Sequence, residues 1–173
     1  MSKSVTQNNQ NNCESGAVLI SPHLSASSQV KSPLQLGVMA SGSGTNFAAV
    51  AKAIAQGKLN AEIKVLIYNN PRAKVKERAE EYHIPSVLLD HRAYQSRKDL
   101  DQKIVAVFKT YGVDWVIMAG WMRITTQVLL DGYPNRVINI HPSLLPSFKG
   151  IKAIEQALQA KVKITGCTVH LVS

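Results

Sequence analysis

A short apolar run, Leu36-Gly37-Val38-Met39-Ala40, passes without a break into Ser41-Gly42-Ser43-Gly44-Thr45-Asn46 and then into residues spaced for a helix. The apolar run has the composition of a strand buried on both faces, as in a parallel sheet. Phe47, Val50, Ala51 and Ile54 follow i, i+3, i+4, i+7 spacing, and Gly57 is suited to stop the helix they form. A strand, a glycine-rich turn and a helix start in succession aim several backbone N–H groups at one point, where the helix dipole favours an anion. That predicts a phosphate site. Ser43, Thr45 and Asn46 add polar donors that a turn serving geometry alone does not need.

What the turn lacks narrows the ligand. A dinucleotide fingerprint wants a third glycine where Phe47 stands and an acidic residue at the end of the second strand, where the sequence reads Tyr68-Asn69-Asn70-Pro71. Arg72 leaves a 2′-phosphate open, so a nicotinamide enzyme is disfavoured rather than ruled out. No lysine follows the glycines in Walker fashion, which argues against triphosphate hydrolysis. A phosphomonoester fits best.

Further along, strands alternate with helices. Glu62 to Tyr68 reads as a strand, Ala73 to Tyr82 as a charged helix with Val75, Ala79 and Tyr82 inward, and Ser86 to Leu89 as a short strand. A polar connection, Asp90 to Arg97, leads to a helix that Ser96 can cap; its Leu100, Ile104, Val107, Phe108 and Tyr111 form a core-facing stripe. Then come a buried strand at Trp115 to Ala119, a helical stretch near Thr126 to Leu130, a strand ending at His141, a helix over roughly 151–160 and a last strand over 167–172. The pattern predicts an α/β fold of three layers, a mostly parallel twisted sheet flanked by helices in the Rossmann-like manner. Ligands of such sheets bind beyond the carboxyl ends of the strands, near the point where strand order reverses. The glycine loop, the Met122-Arg123 segment and the Asn139/His141 pair all follow strand ends, so one cleft can hold them.

In Val137-Ile138-Asn139-Ile140-His141-Pro142-Ser143-Leu144-Leu145-Pro146, side chains two apart share a face, which puts an amide beside an imidazole. Pro142 and Pro146 hold the histidine on a stiff turn. Two readings stay open on this stretch alone: a catalytic pair on a rigid mount, or a hydrogen-bonded structural pair capping a buried strand.

The chain has 173 residues, 45% of them hydrophobic, enough for one domain over 34–173 behind an arm over 1–33 rich in Asn, Gln and Ser. The arm's one apolar run, Ala17 to Ile20, is far short of a membrane span. Its charged residues are Lys3, Glu14 and Lys31, so most of the formal +9 belongs to the domain and suits anionic ligands. No arginine-rich or aromatic-interleaved basic run points to nucleic acid. Cys13 and Cys167 fit neither a metal site nor a disulfide framework, the five histidines are too dispersed for zinc, and a reducing cytoplasm is expected.

Three of these segments carry a resemblance: Ser41-Gly42-Ser43-Gly44-Thr45-Asn46, Ala119-Gly120-Trp121-Met122-Arg123-Ile124 and Asn139-Ile140-His141-Pro142-Ser143-Leu144-Leu145-Pro146. From Leu36 to the end, the chain resembles the folate-dependent formyltransferases. The Asn-x-His-Pro run is common to the wider family, whereas the glycine loop resembles that of its glycinamide ribonucleotide branch in purine biosynthesis. The resemblance implies transfer of a formyl group from 10-formyltetrahydrofolate to the amine of 5-phosphoribosylglycinamide, with no metal. It implies that Gly44, Thr45 and Asn46 bind the substrate phosphate, and that Arg97, Met122, Arg123, Ile124, Thr125 and Asn139 line the formylfolate site. Asn139 and His141 would then be catalytic, His141 as the acid. A side chain at Gly44 is expected to crowd the phosphate. Thr125 stands where many relatives are apolar.

The family also uses an aspartate, in a segment beyond the strand that Thr168 to Val172 resembles, to raise the histidine pKa and carry protons. The chain stops at Ser173, so a domain shortened at its C-terminal end is expected. Three rivals follow. A formyltetrahydrofolate hydrolase has no use for a phosphate loop, and a tRNA formyltransferase needs a further C-terminal domain. A non-catalytic folate- or phosphate-binding fragment would bind both ligands without turnover. The sequence is silent on oligomeric state.

Overall fold

The computed structural model describes residues 32–172; the arm expected over 1–33 lies, up to residue 31, outside them. Six strands form one sheet: β1 (Leu34–Ala40), β2 (Ala61–Tyr68), β3 (Ser86–Leu88), β4 (Trp115–Met118), β5 (Val137–His141) and β6 (Thr168–Leu171). Between them run α1 (Thr45–Ala55), α2 (Val75–Glu81), α3 (Arg97–Thr110), α4 (Gln127–Gly132) and α5 (Ala153–Gln159). Strand order is β3-β2-β1-β4-β5-β6. The first five strands are parallel and β6 runs antiparallel to β5. The chain winds outward from β1 to β3 and then returns to lay β4 on the other side of β1, so strand order reverses between β1 and β4.

The apolar runs sort by alternation onto two layers. Met39, Val65, Ile67, Val116 and Val137 face Ile104, Phe108 and Leu129, while Val38, Ala40, Leu66 and Tyr68 face Phe47, Ala51, Val75 and Ala79. Phe47, which stands where a dinucleotide-binding turn would have glycine, is fully buried in the second layer. Phe108 is equally buried, and a side chain of this size contributes about 2–3 kcal/mol by leaving water. A Cβ on Gly37 would lie 2.5 Å from its ring, so glycine there is a packing requirement of the α3 layer. Tyr133 meets Phe108 edge-on, with ring centroids 6.0 Å apart, and Lys109 lies over its face at 4.7 Å.

Element ends agree with the sequence reading to within about two residues at most positions. Gly57, at φ 68, follows α1 as its left-handed stop. Ser96 caps α3 in a capping box with Asp99. The connection after β3 differs from expectation: His91–Ala93 form a 3-10 turn, because the Asp90 side chain accepts from the Arg92 backbone N–H and pairs with its guanidinium at 2.6 Å. That pair, with the Arg92 backbone N–H, holds the Asp90 carboxyl down at about 2. Among the described residues no helix is long and apolar enough to cross a membrane.

Candidate active site

The glycine loop enters α1 through Gly44, whose φ of 72 is left-handed. The first helical bond is from Ala48 N–H to Gly44 O, and no side chain caps the helix. The N–H groups of Thr45, Asn46 and Phe47 therefore have no intrahelical partner, and the first turn has no acidic residue to compete for them. Thr45 and Asn46 are exposed and Gly44 is buried.

Two neighbours clasp this loop. On one side Val75 N–H donates to Gly42 O at 3.1 Å and Arg78 Nε donates to Ser43 O at 2.7 Å. On the other, Ser41 N–H donates to Gly120 O at 3.1 Å and Ser41 Oγ accepts from Met122 N–H at 2.9 Å. Glycine at 44 also answers a packing need. A Cβ there would come within 2.4 Å of Val75 Cγ2, so α2 and the positive φ impose glycine before any ligand does.

The segment after β4 carries two exposed apolar side chains, Met122 at 73% and Ile124 at 75%. Between them Arg123 is half-buried, and its Nε is buried without a partner among the described residues. Arg97 is the exposed first residue of α3. Beneath both lies Asp101, 2% exposed, which accepts from Thr126 N–H at 2.5 Å. Burial pushes the Asp101 carboxyl up from its ordinary value, opposed by the Thr126 hydrogen bond and by the charges of Arg97 and Arg123. Arg97 and the segment over 122–125 thus flank one buried acid.

Asn139 and His141 lie on the face that buries Val137, as the two-residue period requires. Asn139 is opposite Met118 on β4 and His170 on β6. Its amide nitrogen is 3.2 Å from His170 Nε2. His141 Nε2 is 3.0 Å from Phe148 O. A carbonyl only accepts, so Nε2 carries the proton and Nδ1 is the nitrogen left over. Phe148 has a φ of 52, a left-handed conformation that fixes where its carbonyl points. Thr168 staples the turn after His141: its Oγ1 donates to Ser143 O at 2.7 Å and accepts from Leu145 N–H at 3.0 Å. Among the described residues no carboxylate pairs with His141; Glu155 pairs with Lys152 at 3.1 Å.

Because β1, β4 and β5 are adjacent and parallel, these loops open on one edge of the sheet, at the reversal of strand order. Only β4 separates the glycine loop's strand from the Asn139/His141 strand, about 10 Å at ordinary strand spacing. The three segments singled out in the sequence come together here. Sequence reasoning missed His170 and Asp101, whose partners lie far away along the chain.

Comparison with known proteins agrees with this geometry. Residues 34–173 match the family model described as formyl transferase. The chain is 41% identical over 138 residues to phosphoribosylglycinamide formyltransferase of Bacillus subtilis, covering 80% of this chain and 71% of that protein. It is 37% identical to the human trifunctional purine biosynthetic protein adenosine-3, covering 83% of this chain and 14% of that protein. Among solved structures, glycinamide ribonucleotide transformylase 1 of Symbiobacterium toebii superposes with a TM-score of 0.80 at 40% identity, covering 82% of this chain and 66% of that one. Phosphoribosylglycinamide formyltransferase of Bacillus halodurans gives 0.78 at 43%, covering 80% and 72%. The chain thus spans just under two thirds of one solved relative, somewhat more of the other, and a small part of the human protein.

Proposed function

The chain belongs to the formyl transferase family, and from that premise we propose that it transfers the formyl group of 10-formyltetrahydrofolate to the amine of 5-phosphoribosylglycinamide, a step of purine biosynthesis in the cytoplasm. The observation that carries the reading is the common edge. Free N–H groups at the start of α1 and the end of the strand that carries Asn139 and His141 lie at the same edge of the sheet, with only β4 between their strands. The names of the relatives, all glycinamide ribonucleotide or purine enzymes among those above, support the same substrate.

In this reading Gly44, Thr45 and Asn46 hold the phosphate through backbone N–H groups. Arg97 meets the folate carboxylate, and the backbone over 122–125 bonds the edge of its ring system. Met122 and Ile124, exposed in this structure, suit a flat apolar ligand. The substrate amine attacks the formyl carbon that the folate supplies and negative charge grows on the formyl oxygen; the bond from that carbon to the folate nitrogen then breaks, and the proton lost by the amine goes to the departing nitrogen. The free N–H of the Asn139 amide and a protonated His141 receive that charge, and one such donor commonly contributes about 3–4 kcal/mol. An imidazolium keeps the Nε2 bond to Phe148 O and gains a second donor at Nδ1.

Titration with ribose 5-phosphate and a reduced-folate analogue, followed by a formyl-transfer assay with glycinamide ribonucleotide, tests the reading. Both ligands are expected to bind together and the formyl group to move. Transfer to water alone favours a hydrolase, and binding without any transfer favours a non-catalytic folate- and phosphate-binding domain.

A further inference from the structure

We infer that Asp101 is the positioning residue of the folate cleft, its carboxylate tying the helix that bears Arg97 to the segment that bears Met122 to Thr125. This rests on the reading of those residues as the folate site.

Asp101 follows Arg97 by four residues on α3, so both project from one side of the helix. Yet Asp101 belongs to a stretch whose other inward residues, Leu100, Ile104 and Phe108, are apolar and buried. A carboxylate in such surroundings is costly unless its oxygens are bonded, and replacing it with an apolar residue would ordinarily be tolerated. The cost is offset by one specific contact. Oδ2 takes the N–H of Thr126, the residue before α4, at 2.5 Å.

That bond matters for its location. Met122 N–H is held by Ser41 Oγ at one end of the segment, and Thr126 N–H by Asp101 at the other. Among the described residues no hydrogen bond engages the peptide groups between them, over 123–125. A stretch of backbone pinned at both ends, with unengaged donors and acceptors between, is a ready edge for a heterocycle. The charges of Arg97 and Arg123 both act on Asp101, so the same acid also offsets positive charge beside the segment. Removing the acceptor would free Thr126 and let the segment drift, while the phosphate loop keeps its own clasps from α2.

The test is calorimetric titration of the chain and its Asp101→Ala and Asp101→Asn variants with a reduced-folate analogue and, separately, with ribose 5-phosphate. Asp101→Ala is expected to weaken folate binding about tenfold or more, whereas Asn, whose Oδ1 can still accept from Thr126, stays within about threefold. Phosphate affinity is expected to be unchanged in both. Folate affinity in Asp101→Ala equal to that of the parent overturns the inference, as does equal loss in the Asn and Ala variants. Equal loss of both ligands overturns it too, by marking general unfolding. Amide exchange of the parent chain gives an independent reading that needs no variant: a Thr126 N–H exchanging as fast as an open loop overturns it. A parent chain that binds no folate analogue fails the site reading itself, which sets that failure apart.

Discussion

Asn139 and His170 face each other across the β5–β6 pair, amide nitrogen to ring nitrogen, at 3.2 Å. The ring's other nitrogen, Nδ1, is 2.9 Å from the Leu171 carbonyl, which can only accept. The proton therefore resides on Nδ1, and Nε2 takes one hydrogen of the Asn139 amide. The amide's orientation is fixed, with its second N–H free for a ligand.

Replacing His170 with Phe removes that acceptor. Formyl transfer is expected to fall about tenfold in kcat, the scale of one lost hydrogen bond, with ribose 5-phosphate affinity unchanged. Gln, whose Oε1 can accept, should recover part of the rate. Steady-state kinetics of the two variants decide the matter, and equal rates in Phe and parent would detach His170 from the site.

His141→Ala should lower transfer about 100- to 1,000-fold, as loss of one donor to a developing oxyanion does. Binding of ribose 5-phosphate should survive, since the cradle at the start of α1 is two strands away. Single-turnover assays beside calorimetry separate the two effects.

Gly44→Ala forces a Cβ into Val75 at a left-handed position. The conformation alone costs about 1–2 kcal/mol. Both thermal stability and phosphate affinity should drop, and Val75→Ala in the same chain should restore part of the stability. Melting curves of the single and double variants measure the coupling; full additivity would mean that Val75 is not the obstacle.

Tyr133 has a buried hydroxyl with no partner among the described residues. Tyr133→Phe should therefore raise stability by about 1 kcal/mol in urea unfolding. Burial, with Asp114 nearby, pushes its pKa from 10.0 up to about 12. The folded chain then holds the proton more tightly than the unfolded one, so this contribution is fully present below pH 10 and is lost as pH climbs from 10 to 12. Phe should flatten that alkaline decline.

The layers and the site's three segments were legible because they rest on local rules. Apolar runs, the i, i+3, i+4 stripe of α3, Ser96 as a cap and glycine after a strand each express themselves within a few residues. What was hidden depends on partners far along the chain. Val75, thirty-one positions from Gly44, decides why that residue is glycine. Asp101 leaves no local signal because Thr126, its partner, belongs to another element. His170 shares a face with Thr168 as strand residues two apart should, and only the register of β6 against β5 brings it to Asn139. The 3-10 turn at His91 arose from a side-chain bond of Asp90, which leaves no periodic trace.

Ser41 touches both halves of the cleft, giving its N–H to Gly120 and taking the N–H of Met122. A ligand that tightens the glycine loop must then stiffen the neighbouring segment, and the reverse holds equally. Thermodynamic reciprocity requires the two occupants to alter each other's affinity by one and the same factor. That one serine is the link through which either guest prepares the way for the other.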